Sequence, residues 1–180
     1  MMIMLSEEEW KKEPEVRTIS RPLILLDVDG VVNLAQFASS RQRNRLIRNE
    51  GWTQHWTGEP RYSTRIVFNP RWRQLVKLLA ETGAELAWAS GWQDHANWHI
   101  APLLGLPDLR WAPAVHGDKA ATVVPWTEGR PWAWLEDYEA ELETASALSQ
   151  DRPHLPVLVD RSRGLALDHV AAVKSWLDSL

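Results

Sequence analysis

Four short runs in this 180-residue chain are almost wholly apolar and stop abruptly at polar residues. Leu23-Ile24-Leu25-Leu26 stops at Asp27, and Glu85-Leu86-Ala87-Trp88-Ala89 stops at Ser90-Gly91. Pro131-Trp132-Ala133-Trp134-Leu135 stops at Glu136-Asp137, and Leu155-Pro156-Val157-Leu158-Val159 stops at Asp160. A strand with no polar face must be covered on both sides, which is the position of a central strand in a parallel sheet. Helical patterns fill the intervals. Asn69-Pro70 opens one that places Leu75, Val76, Leu78 and Leu79 on one side and closes at Thr82-Gly83. Residues 93–104 and 138–148 read as two more, and 167–179 carries Leu167, Val170, Val173 and Leu177 at helical spacing. Strand alternating with helix predicts an α/β fold, a three-layer Rossmann-like parallel sheet with right-handed crossovers.

The length suits one domain, expected over residues 21–180, after a polar and acidic N-terminal arm at 1–20. The interval at about 34–69 predicts a small flap or cap insertion, a hairpin and a short helix rather than a separate cap domain. The opening MMIML-SEEEWKKE lacks the longer apolar stretch of a signal peptide, and no run is long enough to span a membrane. A cytoplasmic protein is therefore the default expectation. The absence of cysteine excludes disulfides, thiolate nucleophiles and zinc–thiolate sites.

In parallel sheets, ligands bind beyond the carboxyl ends of the strands, where all four polar groups fall. Asp27-Val28-Asp29-Gly30 puts two carboxylates two residues apart after a buried strand. They are costly there unless a metal neutralises them or they move protons. A calcium loop needs further oxygen ligands at set spacing, which Val31-Val32-Asn33 does not supply. Ser90-Gly91 offers a hydroxyl and turn N–H groups to a phosphoryl oxygen. The G-x-S-x-G motif of a nucleophilic serine is absent. Lys119, in Gly117-Asp118-Lys119-Ala120, stands at a plausible helix start, although a lone lysine is ordinarily a surface residue. Glu136-Asp137 is the acidic pair that a hard cation favours. His95 and His99 have a spacing that suits zinc, but no third ligand is evident and helix-packing histidines are the simpler reading.

In this order, these motifs resemble the haloacid dehalogenase (HAD) superfamily of phosphohydrolases, across residues 21–178. The D-x-D-G after the first strand, Ser90 after the second, Lys119, and the acidic pair after the third match the family's four motifs. Finer details look like the HAD domain of Swiss Army Knife RNA repair proteins. They are Arg65-Ile66-Val67-Phe68-Asn69-Pro70, Ala89-Ser90-Gly91-Trp92, Trp134-Leu135-Glu136-Asp137, and Val159-Asp160 to Gly164-Leu165. The resemblance implies a HAD-like fold and a Mg²⁺-dependent phosphatase. Asp27 would be the nucleophile, forming an aspartyl-phosphate, and Asp29 the general acid and base. Ser90, Gly91 and Lys119 would clamp the phosphoryl group. Mg²⁺ would bind Asp27, the Asp29 carbonyl and an acidic residue of the fourth motif. Glu136 stands where members often have aspartate, so it and Asp137 are both candidate metal ligands, with Asp137 favoured.

Charge patterning bears on the substrate. Residues 41–77 carry 9 basic and 2 acidic side chains in a chain of net charge −4. A basic block of this kind suits a polyanion, and its alternative is a solvated face balancing the acidic remainder. Arg41, Arg43 and Arg45, with Trp92, are expected to bind substrate, while Trp52 and Trp56 offer rings to unpaired bases. A site without a large lid tolerates a polymer end. The expected substrate is a phosphorylated nucleic-acid end of the RNA or DNA repair type, a 3′ phosphate. Free nucleotides or another small phosphate ester are the alternative, and a catalytically silent HAD-like nucleic-acid-binding module is a third reading. Most of the 12 tryptophans are expected in core or half-buried packing.

Overall fold

Leu23–Leu26 forms β1, and all four side chains are fully buried because the strand is the middle of a sheet. The computed structural model describes residues 21–58, 63–115 and 117–180. The expected arm at 1–20 and Arg61 of the basic block lie outside the described residues. After β1 come helix α1 (Ser40–Asn49) and strands β2 (Thr53–Trp56) and β3 (Arg65–Phe68). Next are α2 (Trp72–Ala80), β4 (Glu85–Trp88), α3 (His95–His99), α4 (Ala101–Leu104) and β5 (Arg110–Trp111). The chain then forms α5 (Lys119–Trp126), β6 (Trp132–Glu136), α6 (Glu139–Ser149), β7 (His154–Leu158) and α7 (Leu167–Leu177).

Five strands make one parallel sheet in the order β5-β4-β1-β6-β7, so the chain reverses its direction of travel at β1. Alternation along the strands divides the core. Ile24, Leu26, Ala133 and Leu135 pack with Val76 and Leu79 of α2, Ile100, and Val170 and Val173 of α7. Leu23, Leu25, Trp132 and Trp134 face the other way, onto Ala120, Val123 and Val124 of α5 and Leu142 and Ala145 of α6. The three layers predicted from the apolar runs are therefore present. Tryptophan fills them: Trp72, Trp88, Trp132 and Trp134 are each at most 1% exposed. Burying each ring of that size stabilises the fold by on the order of 2–3 kcal/mol.

The interval after β1 contains α1 and an antiparallel ribbon in which Thr53 pairs with Phe68 and Trp56 with Arg65. Asn33 fastens this segment to the sheet. Its side chain is fully buried, accepts from the Val67 N–H at 2.9 Å and donates to the Asp29 carboxylate at 2.8 Å. The helix expected at 93–104 is instead two pieces, α3 and α4. Pro102 lies in the first turn of α4, where its missing N–H is harmless; in the middle of one long helix it would break a backbone bond. Among the described residues, no helix is long and apolar enough to cross a membrane.

Candidate active site

Parallel strands deliver their next residues to one edge, and there Asp27, Ser90 and Glu136 come together around Lys119. All four line a cavity of about 910 Å³ with Asp29, Gly91, Trp92, Asp137 and Arg161. Lys119 is the first residue of α5, so its stem rises from the helix start toward the ends of β1 and β6. Its Nζ lies 3.1 Å from Asp27 Oδ2 and 2.9 Å from Glu136 Oε2, and its side chain is only 13% exposed. From α6, Glu141 accepts the backbone N–H groups of Lys119 at 3.1 Å and Ala120 at 2.7 Å. A buried carboxylate thus caps α5 where the side chain of Asp118 does not.

Glu136 is fully buried and its acceptors are occupied. Oε2 takes Lys119, and Oε1 takes the backbone N–H groups of Asp137 at 3.2 Å and Tyr138 at 3.3 Å. Asp137 differs. Its Oδ2 lies 3.3 Å from Arg161 Nε yet accepts no hydrogen bond, although the atom is buried. Gly30 makes room for it: with φ at +83°, a Cβ there would overlap the Asp137 carboxylate.

The electrostatics follow from burial. Burial raises the Asp27 carboxyl above its usual range, against the pull of Lys119 and of hydrogen bonding from Ser90 and Val28. Burial likewise pushes Glu136 up to about 9, helped by the Asp27 charge. Asp29 rises to about 6, again through burial, while hydrogen bonds from Trp92 and Asn33 oppose the shift. Burial works to lower Lys119, but the Asp27 and Glu136 carboxylates outweigh it and hold the ammonium charged. Four carboxylates (Asp27, Asp29, Glu136 and Asp137) therefore share two cations, Lys119 and Arg161. Carboxylate oxygens of Asp27, Glu136 and Asp137 lie within 4.8 Å of one another. That crowding of carboxyl oxygens, with one buried oxygen lacking a hydrogen-bond donor, fits a hard divalent cation with oxygen ligands.

Other expected residues are distributed differently. Asp160 turns outward, accepting from Ser162 N at 2.8 Å and Oγ at 2.7 Å, and its neighbour Arg161 enters the cavity instead. Arg41, Arg43 and Arg45 lie on α1, which contributes no side chain to the cavity wall. Arg43 is engaged within the chain, donating to the carbonyls of Ala35 and Ala38 and to Ser40 Oγ. Trp52 packs edge-on against Trp72 at 5.2 Å in the core, whereas Trp56 is 52% exposed with the Arg65 guanidinium 4.7 Å over its ring. Gln36, Phe37 and Tyr138 line the cavity without any sequence signal; Glu141 had one, an acid in the first turn after the acidic pair. The His95 and His99 rings stack at 6.3 Å and also line the wall.

The sequence matches, over residues 23–170, the family described as the HAD domain in Swiss Army Knife RNA repair proteins. No curated protein matches it. Among solved structures, the HAD domain of effector protein Lem4 from Legionella pneumophila is similar at a TM-score of 0.53 and 13% identity. That alignment covers 89% of this chain and 98% of the other, a likeness of fold. A hypothetical protein from Xanthomonas campestris, XCC2798, aligns at a TM-score of 0.44 and 16% identity, over 89% of this chain and 87% of the other.

Proposed function

This chain belongs to the family of the HAD domain in Swiss Army Knife RNA repair proteins, and from that premise we propose that it is a Mg²⁺-dependent phosphohydrolase of phosphorylated nucleic-acid ends, foremost a terminal 3′ phosphate. One observation carries the reading: a largely buried lysine bridges Asp27 and Glu136 beside Ser90, at the ends of three adjacent strands. Phosphoryl transfer asks for positioning and charge neutralisation, and this cluster supplies both.

Asp27 is the nucleophile. Its carboxylate oxygen bonds to phosphorus as the phosphorus–oxygen bond to the leaving alcohol breaks, giving an aspartyl-phosphate. Asp29 gives its proton to the departing oxygen, then takes one from the water that attacks the aspartyl-phosphate. Ser90, the Gly91 turn and Lys119 hold the non-bridging oxygens. HAD domains generally use Mg²⁺, and Asp27, the Asp29 carbonyl and Asp137 would hold it. Glu136 is committed to Lys119 and to two backbone N–H groups, so it supports rather than ligates. The bound ion would neutralise developing phosphoryl charge.

A polymer end is favoured over a free nucleotide by where the arginines sit. Arg41, Arg45 and Arg48 fall at i, i+4 and i+7 of α1, on one face and outside the cavity wall. Such a face would suit backbone phosphates outside the cavity, which a longer strand has and a mononucleotide lacks. Phosphate release should be measured on 3′- and 5′-phosphorylated oligonucleotides, nucleotides and small esters. The reading expects the highest kcat/KM on the 3′-phosphorylated oligonucleotide, and a preference for free nucleotides would move the substrate to the smaller class.

A further inference from the structure

Of the two carboxylates in the first motif, Asp27 is tied to the lysine, but Asp29 is tied to something else. Three N–H donors converge on it. Asn33 Nδ2 reaches Oδ1 at 2.8 Å, and Trp92 Nε1 and Gln36 Nε2 reach Oδ2 at 2.9 and 3.2 Å. The three come from separate places: the end of the first motif's own loop, the turn after β4, and the start of the insertion. Indole N–H groups of the core mostly find an acceptor: Trp72, Trp88 and Trp132 find a carbonyl, an amide oxygen and a hydroxyl, whereas that of Trp134 finds none. Among the described residues, Trp92 is the tryptophan that donates its N–H to a carboxylate at the cavity.

The backbone beside Trp92 is arranged to present it. Gln93 has φ at +49°, a left-handed conformation that a residue with a side chain adopts at a cost. The turn is closed by Gln93 N donating to Ser90 O at 3.0 Å and His95 N to Trp92 O at 3.0 Å. The side chain of Trp92 also meets His99 edge-to-face at 6.4 Å. Ser90, Gly91 and Trp92 are consecutive, so the residue that cradles the phosphoryl group and the donor to Asp29 share one rigid turn.

We propose that Trp92 and Gln36 are positioning residues for proton transfer, holding Asp29 in fixed register with the phosphoryl cradle at Ser90-Gly91. This rests on the phosphatase reading. Its physical content is that donor and phosphorus must keep a constant separation while the leaving oxygen departs. A carboxylate free to rotate would spend part of its time out of reach. Asn33 completes the arrangement, but it is fully buried and also holds β3, so its replacement would disturb the fold.

The test uses Trp92→Phe, which keeps an aromatic ring but removes the N–H together with part of the indole bicycle. Its kcat/KM, which reports ester cleavage and not the later hydrolysis of the aspartyl-phosphate common to all substrates, should be measured with Mg²⁺ on a series of phosphate monoesters, from nitrophenyl to simple alkyl, and plotted against the leaving-group pKa. A misplaced proton donor harms poor leaving groups most. The slope should therefore steepen, with the alkyl-to-aryl ratio of kcat/KM falling about tenfold. Gln36→Leu, at an exposed position, should steepen it in the same direction and carries the test if Trp92→Phe does not fold. A parallel drop on all esters, or a raised KM with unchanged slope, would overturn the proposal and make Trp92 a wall of the cavity. Wild-type protein that hydrolyses none of the esters would overturn the phosphatase reading and this inference with it.

Discussion

Asp137 is the residue whose surroundings differ most from its neighbours', because its buried Oδ2 accepts no hydrogen bond while every acceptor of Glu136 is used. Asp137→Asn should therefore weaken Mg²⁺ binding about tenfold or more in calorimetry without substrate, and undiminished affinity would return Glu136 to the role of ligand. At this scale much was legible. Two carboxylates after a buried strand are expensive enough to need a reason, and Asp27-Val28-Asp29-Gly30 announced one. Lys119 was legible only through its order among the motifs, since a lone lysine has no local signature. Gln36 and Tyr138 were not legible, because their place at the cavity depends on how the segment after β1 and the turn after β6 fold back.

At the scale of elements, α5 is the piece that presents Lys119, and its first turn is held from outside. Glu141→Ala removes acceptors from two backbone N–H groups in a buried place, which should cost about 1–2 kcal/mol in a denaturant titration. It should also lower kcat by loosening Lys119; wild-type stability would mean that the cap contributes nothing. Helix α7 carries a second, pH-dependent cap. His169 Nδ1 accepts the Ala166 N–H at 3.1 Å, which only an imidazole without a proton on that nitrogen can do, and burial holds its pKa below the usual 6.5. A depressed folded value means that the unfolded chain takes the proton first. The cap's contribution is thus complete above 6.5 and fades as pH falls toward the folded value. Thermal melts from pH 8 to 5 should show part of the acid loss disappearing in His169→Ala, and identical profiles would contradict the cap. The buried strands β1, β4 and β6 were legible because apolar runs leave no alternative, but the similar run at 155–159 gave β7, an edge strand whose residues are mostly half-buried or exposed. β5 was not, since it has two residues, Arg110 and Trp111, both exposed. The break between α3 and α4 was signalled by Pro102, against a helical pattern that ran through it.

For the whole molecule, charge and shape set what can approach the site. The excess of basic residues over 41–77 is partly absorbed, Arg43 into the start of α1 and Arg45 into a pair with Glu50 at 3.3 Å, both features invisible to composition. Arg41, Arg48 and the still 64% exposed Arg45 side chain form a face of α1, and joint replacement of the three by alanine tests it. KM for a phosphorylated oligonucleotide should rise, and the salt dependence of binding should flatten by roughly 0.7 log unit per lost contact for a single strand. An unchanged salt slope would leave the arginines as a solvated surface. The parallel sheet, its three layers and the gathering of Asp27, Ser90, Lys119 and Glu136 were all consequences of strand order, which places successive carboxyl ends on one edge. The central claim is that this edge hydrolyses phosphate esters through Asp27. It is tested most directly by phosphate release from a small monoester with Mg²⁺, comparing wild type with Asp27→Asn after circular dichroism shows the two equally folded. The account predicts release by the wild type and none above background by the variant; release at the same rate by both would contradict it.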